Sequence, residues 1–393
     1  MRSSTRRTIL WALALVVALA LAVVGYVRSG DESDVAIVPE SPSPKVPDAD
    51  DLADGCGDAA VTDLTDIRLD RTLARCEPGA PEAVPLAAPA SLRVAVSTRS
   101  EAVAPLLLAD ALGEFEAENL GVDIVDLDAD AAFAAMAAGE VDVVIGGIDA
   151  PFFDGVHDGL GARLVLGGPI TRSPGDLETA QAGLWLRADL ISESSKWENV
   201  ASQTVLLPGG MGSGATYPID LTLSQNELSI NSVDLVAAPA DEAAARLLGA
   251  EVGGAWLPEP VSAEVADDPA LRLVATMPGT ESIDGTVVSS RLLGADRAIG
   301  QAYVRAIVRT INTHLPDGYG DDAVPALAEA LDVDEDDLAA GPALLFDWEM
   351  RSGTTSRIQH SLITAGGVRY EESVAEADLV DRTLVADVVS PPA

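Results

Sequence analysis

The chain has 393 residues, with 24 Lys and Arg against 63 Asp and Glu, which gives a formal net charge of −39. This charge disfavours nucleic acid and anionic lipid headgroups as partners, because both are bound by clustered cations. Apolar residues make up 48% of the chain, so it is not a disordered acidic tail, and its length favours two packed units over one.

The N-terminal segment predicts export. Residues 8–27 carry no charge and follow three arginines, which is typical of a membrane-spanning helix with its N-terminus inside. We expect residues 1–30 to be an uncleaved signal anchor that holds the rest of the chain outside the membrane. The alternative is a cleaved signal peptide and a secreted protein. No cysteine follows the apolar run, which argues against a lipid anchor.

Residues 31–90 are predicted to form an acidic, Pro-rich linker that contains one folded loop. The stretches 38–51 and 83–90 are rich in proline, which is typical of an extended, solvated chain. Cys56 and Cys76 lie between these stretches, and in an exported protein we expect them to form a disulfide. A redox-enzyme site is the weaker alternative, because the pair lacks CxxC spacing.

From residue 91 onward, apolar strands alternate with helices, which favours parallel sheets covered on both faces. The pattern occurs twice and therefore predicts two α/β lobes with a cleft between them, where such sheets bind ligands beyond the C-terminal ends of their strands. The predicted strands are residues 91–97, 121–127, 140–147, 162–168, 204–210, 232–239, 253–260 and 271–278. The predicted helices are residues 105–118, 130–138, 215–225, 241–248 and 296–314.

A glycine-rich turn, GGMGSGAT at residues 209–216, follows one predicted strand. It lacks the G-K-[ST] ending of a phosphate loop, so nucleotide hydrolysis is not expected. Backbone N–H groups at the following helix N-terminus could still hold an anion or a polar group. The alternative is a tight turn with Ser213 or Thr216 as helix N-cap. The three histidines stand in unrelated segments and no GxSxG or HExxH motif occurs, so we expect no catalytic set, metal site or cofactor.

The order of these segments resembles the solute-binding proteins of ABC importers, in the branch that takes nitrate, sulfonates, taurine and thiamine precursors. The resemblance covers residues 91–389. The chain departs from the pattern at residues 250–253, where AEVG replaces Gly-Glu-Val-Asp, and it lacks a lipobox. The segments that carry the resemblance are GEFE at 113–116, GVD at 121–123, AGEVD at 138–142, LPGGMGSGATY at 207–217 and the C-terminal VVSSRLLGADRAIGQAYVRAIVRTINT.

The resemblance implies a two-lobed, type II periplasmic-binding-protein-like fold. Residues 91–186 and 283–393 would form lobe 1, residues 187–282 would form lobe 2, and the ligand would lie between them. Arg99 could instead be a surface charge, Asp149 a helix N-cap and Trp256 a core residue. The implied ligand-binding residues are Ser97, Thr98, Arg99, Gly147, Asp149, Ala150, Gly210, Met211, Gly212, Ser213, Gly214, Trp256 and Glu259.

We therefore expect an extracytoplasmic, monomeric solute-binding component of an ABC importer, which delivers a small polar or anionic organic solute to a membrane permease. Arg99 and the glycine-rich turn favour an anion. Asp149 and Glu259 would instead suit an amine or another cation, on which Trp256 could stack. The alternatives are a membrane-tethered sensor or scaffold with the same fold, and an enzyme, against which export and the lack of a catalytic set count.

Overall fold

Two five-stranded sheets, each covered by helices, form the body of the chain in the computed structural model. The structure describes residues 43–53, 55–57, 60–171, 182–191, 197–259, 261–276, 281–340 and 344–390. The expected N-terminal anchor and the first part of the linker, residues 1–42, lie outside the described residues. Among the residues that are described, no helix has the length and apolar character needed to cross a membrane.

The elements follow the predicted alternation of strand and helix. The strands are Ala90–Val96 (β1), Leu120–Asp126 (β2), Val143–Gly147 (β3), Arg163–Gly167 (β4), Pro169–Thr171 (β5), Gly183–Arg187 (β6), Thr204–Leu207 (β7), Asp234–Ala237 (β8), Gly254–Leu257 (β9), Leu271–Thr276 (β10), Asp284–Val288 (β11) and Leu344–Phe346 (β12). The helices are Ala104–Ala111 (α1), Glu114–Ala117 (α2), Ala129–Ala137 (α3), Ala150–His157 (α4), Thr216–Gln225 (α5), Ala240–Leu248 (α6), Ser290–Leu293 (α7), Arg297–His314 (α8), Ala323–Leu331 (α9), Glu335–Ala340 (α10), Thr354–Ala365 (α11), Glu376–Leu379 (α12) and Thr383–Val389 (α13).

The two sheets share one topology. The first has the order β2-β1-β3-β11-β4 and the second the order β8-β7-β9-β6-β10, and a short third sheet pairs β5 with β12. In the first sheet β11 runs antiparallel to both neighbours, and in the second β6 does. The prediction of purely parallel sheets is therefore wrong for one strand in each. These two strands enter from the chain crossings between the lobes, at the carboxyl ends of the parallel strands, and must run the opposite way.

The sheets define the lobes. Lobe 1 is built on the first sheet and lobe 2 on the second, and β6 of lobe 2 begins before the boundary expected at residue 187. In lobe 1, α1, α8 and α13 cover one face of the sheet, and α3 and α4 cover the other with Phe133 and Phe152. In lobe 2, α5 packs on one face and α6 on the other. Each lobe is thus a three-layer α/β/α unit, as helix-covered strands require.

The helix predicted over residues 105–118 is two helices, α1 and α2. Gly113 separates them and has a φ of 79°, a left-handed conformation that glycine adopts without strain. The break lets Phe115 turn inward, where it stacks on Tyr303 of α8 with 5.6 Å between ring centroids. The apolar spacing predicts the buried side of this segment, but it does not reveal the break.

Described residues from 60 to 90 pack against lobe 1. The predicted disulfide between Cys56 and Cys76 is confirmed. Asn312 of α8 accepts a hydrogen bond from the Cys76 N–H (3.4 Å) and donates one to the Ala80 carbonyl (3.0 Å). This half of the predicted linker is therefore a layer on the surface of lobe 1, because its polar groups find partners in α8 that composition alone does not reveal.

A buried charge cluster fixes the same segment to lobe 1. Asp347 lies 2.5 Å from Arg71 of the N-terminal segment and 2.5 Å from Arg351, and all three side chains are buried. Burial would raise the pKa of Asp347, but Arg351 and Arg71 hold it below its ordinary value. A paired charge of this kind tolerates burial only while its partners stay in place.

Candidate functional site

The residues predicted from lobe 1 lie at the carboxyl ends of its parallel strands. Ser97 and Thr98 follow β1 and are exposed, and Gly147 ends β3. Asp149 and Ala150 begin α4, next to the second chain crossing. There the Ile148 N–H, one residue earlier, donates to the Ile283 carbonyl at 2.6 Å. The topology therefore brings the carboxyl ends of β1 and β3 and the start of β11 to one edge of lobe 1.

The glycine-rich turn of lobe 2 packs directly on this edge. Gly210–Gly212 is a short 3-10 helix, and Ser213 and Gly214 lead from it into α5. A Cβ on Gly212 would lie 3.2 Å from the Ala150 Cβ, and one on Gly214 would lie 3.1 Å from the Ile148 carbonyl oxygen. Both glycines thus permit close approach of the lobes, and Met211 remains exposed beside them.

Asp149 joins the lobes by a hydrogen bond. Gly214 N–H donates to the Asp149 Oδ1 at 2.6 Å. Asp149 occupies the N-cap position of α4, but its side chain makes no capping bond there and reaches across to lobe 2. Loss of hydration raises the pKa of Asp149 to about 6, although the hydrogen bond from Gly214 acts to lower it. The charge of Asp130 adds to the rise.

Asp284, a residue that the sequence does not predict for the site, lies beside Asp149 at the start of β11. Loss of hydration and the charge of Asp149 raise its pKa to about 7. Asp284 also lines a cavity of about 40 Å³ with Gly146 and Gly168. The sequence signal that could have identified Asp284 is an acidic residue at the start of an apolar strand, just after the chain passes between the lobes.

A second acidic pair, unlike the first, has one residue in each lobe. Glu259 follows β9 of lobe 2 as predicted, and it lies close enough to Glu101 of lobe 1 for like-charge repulsion. Partial loss of hydration and this repulsion raise the pKa of Glu259. Glu101 also accepts a hydrogen bond from Tyr319. Two acidic pairs therefore influence each other electrostatically near the contact between the lobes, one within lobe 1 and one between Glu259 and Glu101.

Two predicted contact residues point elsewhere. Arg99 donates to the Asp126 carboxylate at 3.0 Å and to the Ile124 carbonyl at 3.1 Å, both on edge strand β2, and its side chain is 40% exposed. Trp256 lies within β9 and is buried in the hydrophobic core of lobe 2. In the structure Arg99 is thus a surface charge and Trp256 a core residue, which are the alternative interpretations of these two positions.

A buried glutamate ties the second crossing to both flanking helices. Glu281 accepts hydrogen bonds from Tyr217 of α5 (2.6 Å), Thr354 of α11 (2.8 Å) and Arg357 of α11 (2.9 Å from Nε). Burial and the Glu281 charge raise the pKa of Tyr217. Helix α11 also packs along α5, so the C-terminal part of the chain contacts lobe 2 as well as lobe 1.

A larger cavity, of about 530 Å³, lies outside this contact region. Its lining comes only from the N-terminal segment between residues 45 and 75. Residues from the carboxyl ends of the strands do not line it, so it lacks the placement that α/β sheets give to their ligand sites. In the described part of the chain, no group of three or more His, Cys, Asp or Glu side chains could hold a metal ion.

Comparison with known proteins rests on structure alone, because no protein-family model and no curated protein matches the chain. The periplasmic aliphatic sulphonate binding protein SsuA from Escherichia coli matches with a TM-score of 0.55 and 12% identity, over 77% of this chain and 99% of that one. This chain has the periplasmic-binding-protein fold. The ligand-binding component of an ABC-type import system from Staphylococcus aureus, with zinc bound, matches with a TM-score of 0.55 and 12% identity, over 76% and 98% of the two chains.

The same fold also occurs in DszB, whose mutant was solved with biphenyl-2-sulfinic acid. It matches with a TM-score of 0.51 and 17% identity, over 76% of this chain and 99% of that one. Structural likeness at such low identities shows the fold alone, and the ligand has to be inferred from the side chains of this chain.

Proposed function

We propose that the chain is an extracytoplasmic solute-binding protein that captures a small solute between its lobes and presents it to an ABC permease. The observation that carries the proposal is the meeting of the two predicted loops. Asp149 after β3 of lobe 1 bonds Gly214 in the turn after β7 of lobe 2. Ligands of open α/β sheets bind beyond the carboxyl ends of the strands, and here these ends of both sheets meet.

Entry of a solute requires the lobes to separate and then close around it. The chain passes between the lobes twice, after β5 and after β10, so the lobes could move as two bodies around a solute. The solute would replace or extend contacts that now join the lobes. These include the close packing of Ala150 on Gly212 and the hydrogen bond from Gly214 to Asp149. The proposed solute-contacting residues are Ser97, Asp149, Gly214, Glu259 and Asp284.

Thermal unfolding of the full-length chain with a panel of small cationic, anionic and neutral solutes tests this function. A solute at 100 times its Kd stabilises the folded state by about 2.7 kcal/mol, which is a measurable rise in Tm. Asp149→Asn should weaken the response, whereas Asp234→Asn, on the exposed edge strand β8, should leave it unchanged. The proposal fails if saturating solutes of all three classes leave the Tm unchanged.

The placement of the protein is part of the same proposal. Residues 8–27 carry no charge and follow three arginines, so we propose that residues 1–30 anchor the chain and leave the lobes outside the cell membrane. Fractionation of cells that express the full chain checks this point. Recovery of the protein in the membrane fraction, with residues 1–30 intact, is the expected result. A soluble product that starts after Val27 would contradict the anchor.

A further inference from the structure

The N-terminal segment fastens the loop that leads from β12 into α11. The Thr62 N–H donates to the Glu349 carboxylate at 3.0 Å, and the Thr62 hydroxyl accepts a hydrogen bond from Arg351 Nη1 at 2.7 Å. Glu349 and Arg351 are both buried, which limits the competition of water for these bonds. The Ser352 N–H donates to the Leu64 carbonyl at 2.9 Å. Together with the buried charge cluster, these bonds hold the loop at several consecutive residues.

Helix α11 follows this loop directly and contacts both lobes. Ile358 is fully buried in the core of lobe 1 beside α4. Toward lobe 2, the Ser361 hydroxyl donates to the Asp220 carboxylate of α5 at 2.7 Å. The Asn231 side chain of lobe 2 donates to the Thr364 carbonyl at 3.1 Å. Apolar burial thus ties α11 to lobe 1, whereas polar bonds that water can replace tie it to lobe 2.

The second crossing between the lobes is fastened to the same helix. Glu281, in this crossing, accepts hydrogen bonds from Thr354 and Arg357 of α11. Tyr217 of α5 donates to the same carboxylate at 2.6 Å, and its ring packs in a core cluster of lobe 1 although it belongs to lobe 2. A shift of α11 would therefore disturb both the crossing and the contact between the lobes.

We propose that residues 60–75 act as a strap that restrains the separation of the lobes. The strap holds the loop at 347–352, the loop positions α11, and α11 holds lobe 2 through α5 and the second crossing. Each step is a direct contact, and a packed helix can carry a displacement from one end to the other. The strap goes beyond solute capture, because it acts on the lobes whether or not a solute is present. It gives the N-terminal end of the chain control over opening.

Hydrogen–deuterium exchange of the full-length chain without solute, read by mass spectrometry, tests the strap. Thr62→Val nearly keeps the shape of the side chain but removes the hydroxyl that bonds the loop before α11. We expect the amides at 148–150 and 212–217, where the lobes touch, to exchange at least about threefold faster. Amides of β1 and β7, inside the sheets, should exchange at unchanged rates. Ile67→Ala, at an exposed position of the same segment, is the matched control and should change neither set.

A second variant tests the coupling from the other end, because coupling between two sites is reciprocal. Tyr217→Phe removes the hydrogen bond to Glu281 and should speed exchange of the amides at 62–64 and 351–353. Unchanged exchange at the lobe contact in Thr62→Val, or at the strap in Tyr217→Phe, overturns the proposal. Faster exchange in β1 and β7 by the same factor also overturns it, since Thr62 would then support the fold as a whole. Solute binding is decided separately, by the rise in Tm with solute.

Discussion

Asp284→Asn tests the electrostatics of the strand ends without any ligand. The pKa of Asp284 rises from an ordinary value of 3.8 to about 7, because the carboxylate loses hydration and faces Asp149. The folded state therefore binds the proton more tightly than the unfolded state does. The contribution of Asp284 to the free energy of unfolding is therefore greatest below about pH 4 and is lost as the pH rises through 7.

The size of the effect follows from this rise in pKa. Each unit of pKa difference corresponds to about 1.4 kcal/mol, so the change from 3.8 to about 7 corresponds to about 4 kcal/mol at pH 8. Residual contact with water reduces this value, and we expect Asp284→Asn to raise the free energy of unfolding by about 2–4 kcal/mol at pH 8. Asparagine has nearly the same shape and carries no charge, so packing should change little.

Urea denaturation at pH 4 and pH 8 measures this difference. The variant and the wild type should be nearly equal at pH 4 and should differ at pH 8, with the variant more stable. Asp234→Asn, an exposed aspartate on β8, is the matched control and should differ little at either pH. A variant that is equally or less stable than the wild type at pH 8 would refute the electrostatic reasoning. A stabilising change that also abolishes solute binding would show that Asp284 lowers the stability of the fold in exchange for ligand binding.

Three further predictions concern the supports of the site. Glu281→Gln leaves Arg357 without its buried anion and should lower the free energy of unfolding by about 3 kcal/mol in urea, whereas exposed Glu140→Gln should have almost no effect. Cys56→Ser removes a cross-link over a separation of 20 residues and should lower stability by about 3 kcal/mol, while the affinity for solute in calorimetry stays the same. Asp347→Asn should lower stability by about 3–5 kcal/mol and open residues 60–80 to proteolysis, which electrophoresis after limited trypsin digestion detects.

Much of the architecture could be predicted because its signal is local. Apolar runs bounded by glycine and charged residues predict β1, β4 and β7, and the amphipathic pattern of α8 predicts its bounds closely. The antiparallel β6 and β11 could not be predicted this way. Their direction depends on which end of the sheet the chain enters, and that information lies in the crossings between lobes rather than in the strand residues.

The candidate site shows the same division. The loops after β3 and β7 follow directly from strand ends that the sequence predicts, and the structure joins them through the hydrogen bond from Gly214 N–H to Asp149. The directions of side chains were not predictable. Arg99 turns to β2 because Asp126 stands opposite it. Trp256 lies in the core because helices cover both faces of β9, so every residue of this strand is buried. The importance of Asp284 arises only when the second crossing returns it beside Asp149.

A crystal structure of the full-length chain with a solute that raises its Tm tests the central claim most directly. We predict the solute between the lobes, in contact with Asp149 and the Gly214 turn. A solute in the cavity of about 530 Å³ lined by residues 45–75, or on the outer surface of either lobe, would contradict a site between the lobes.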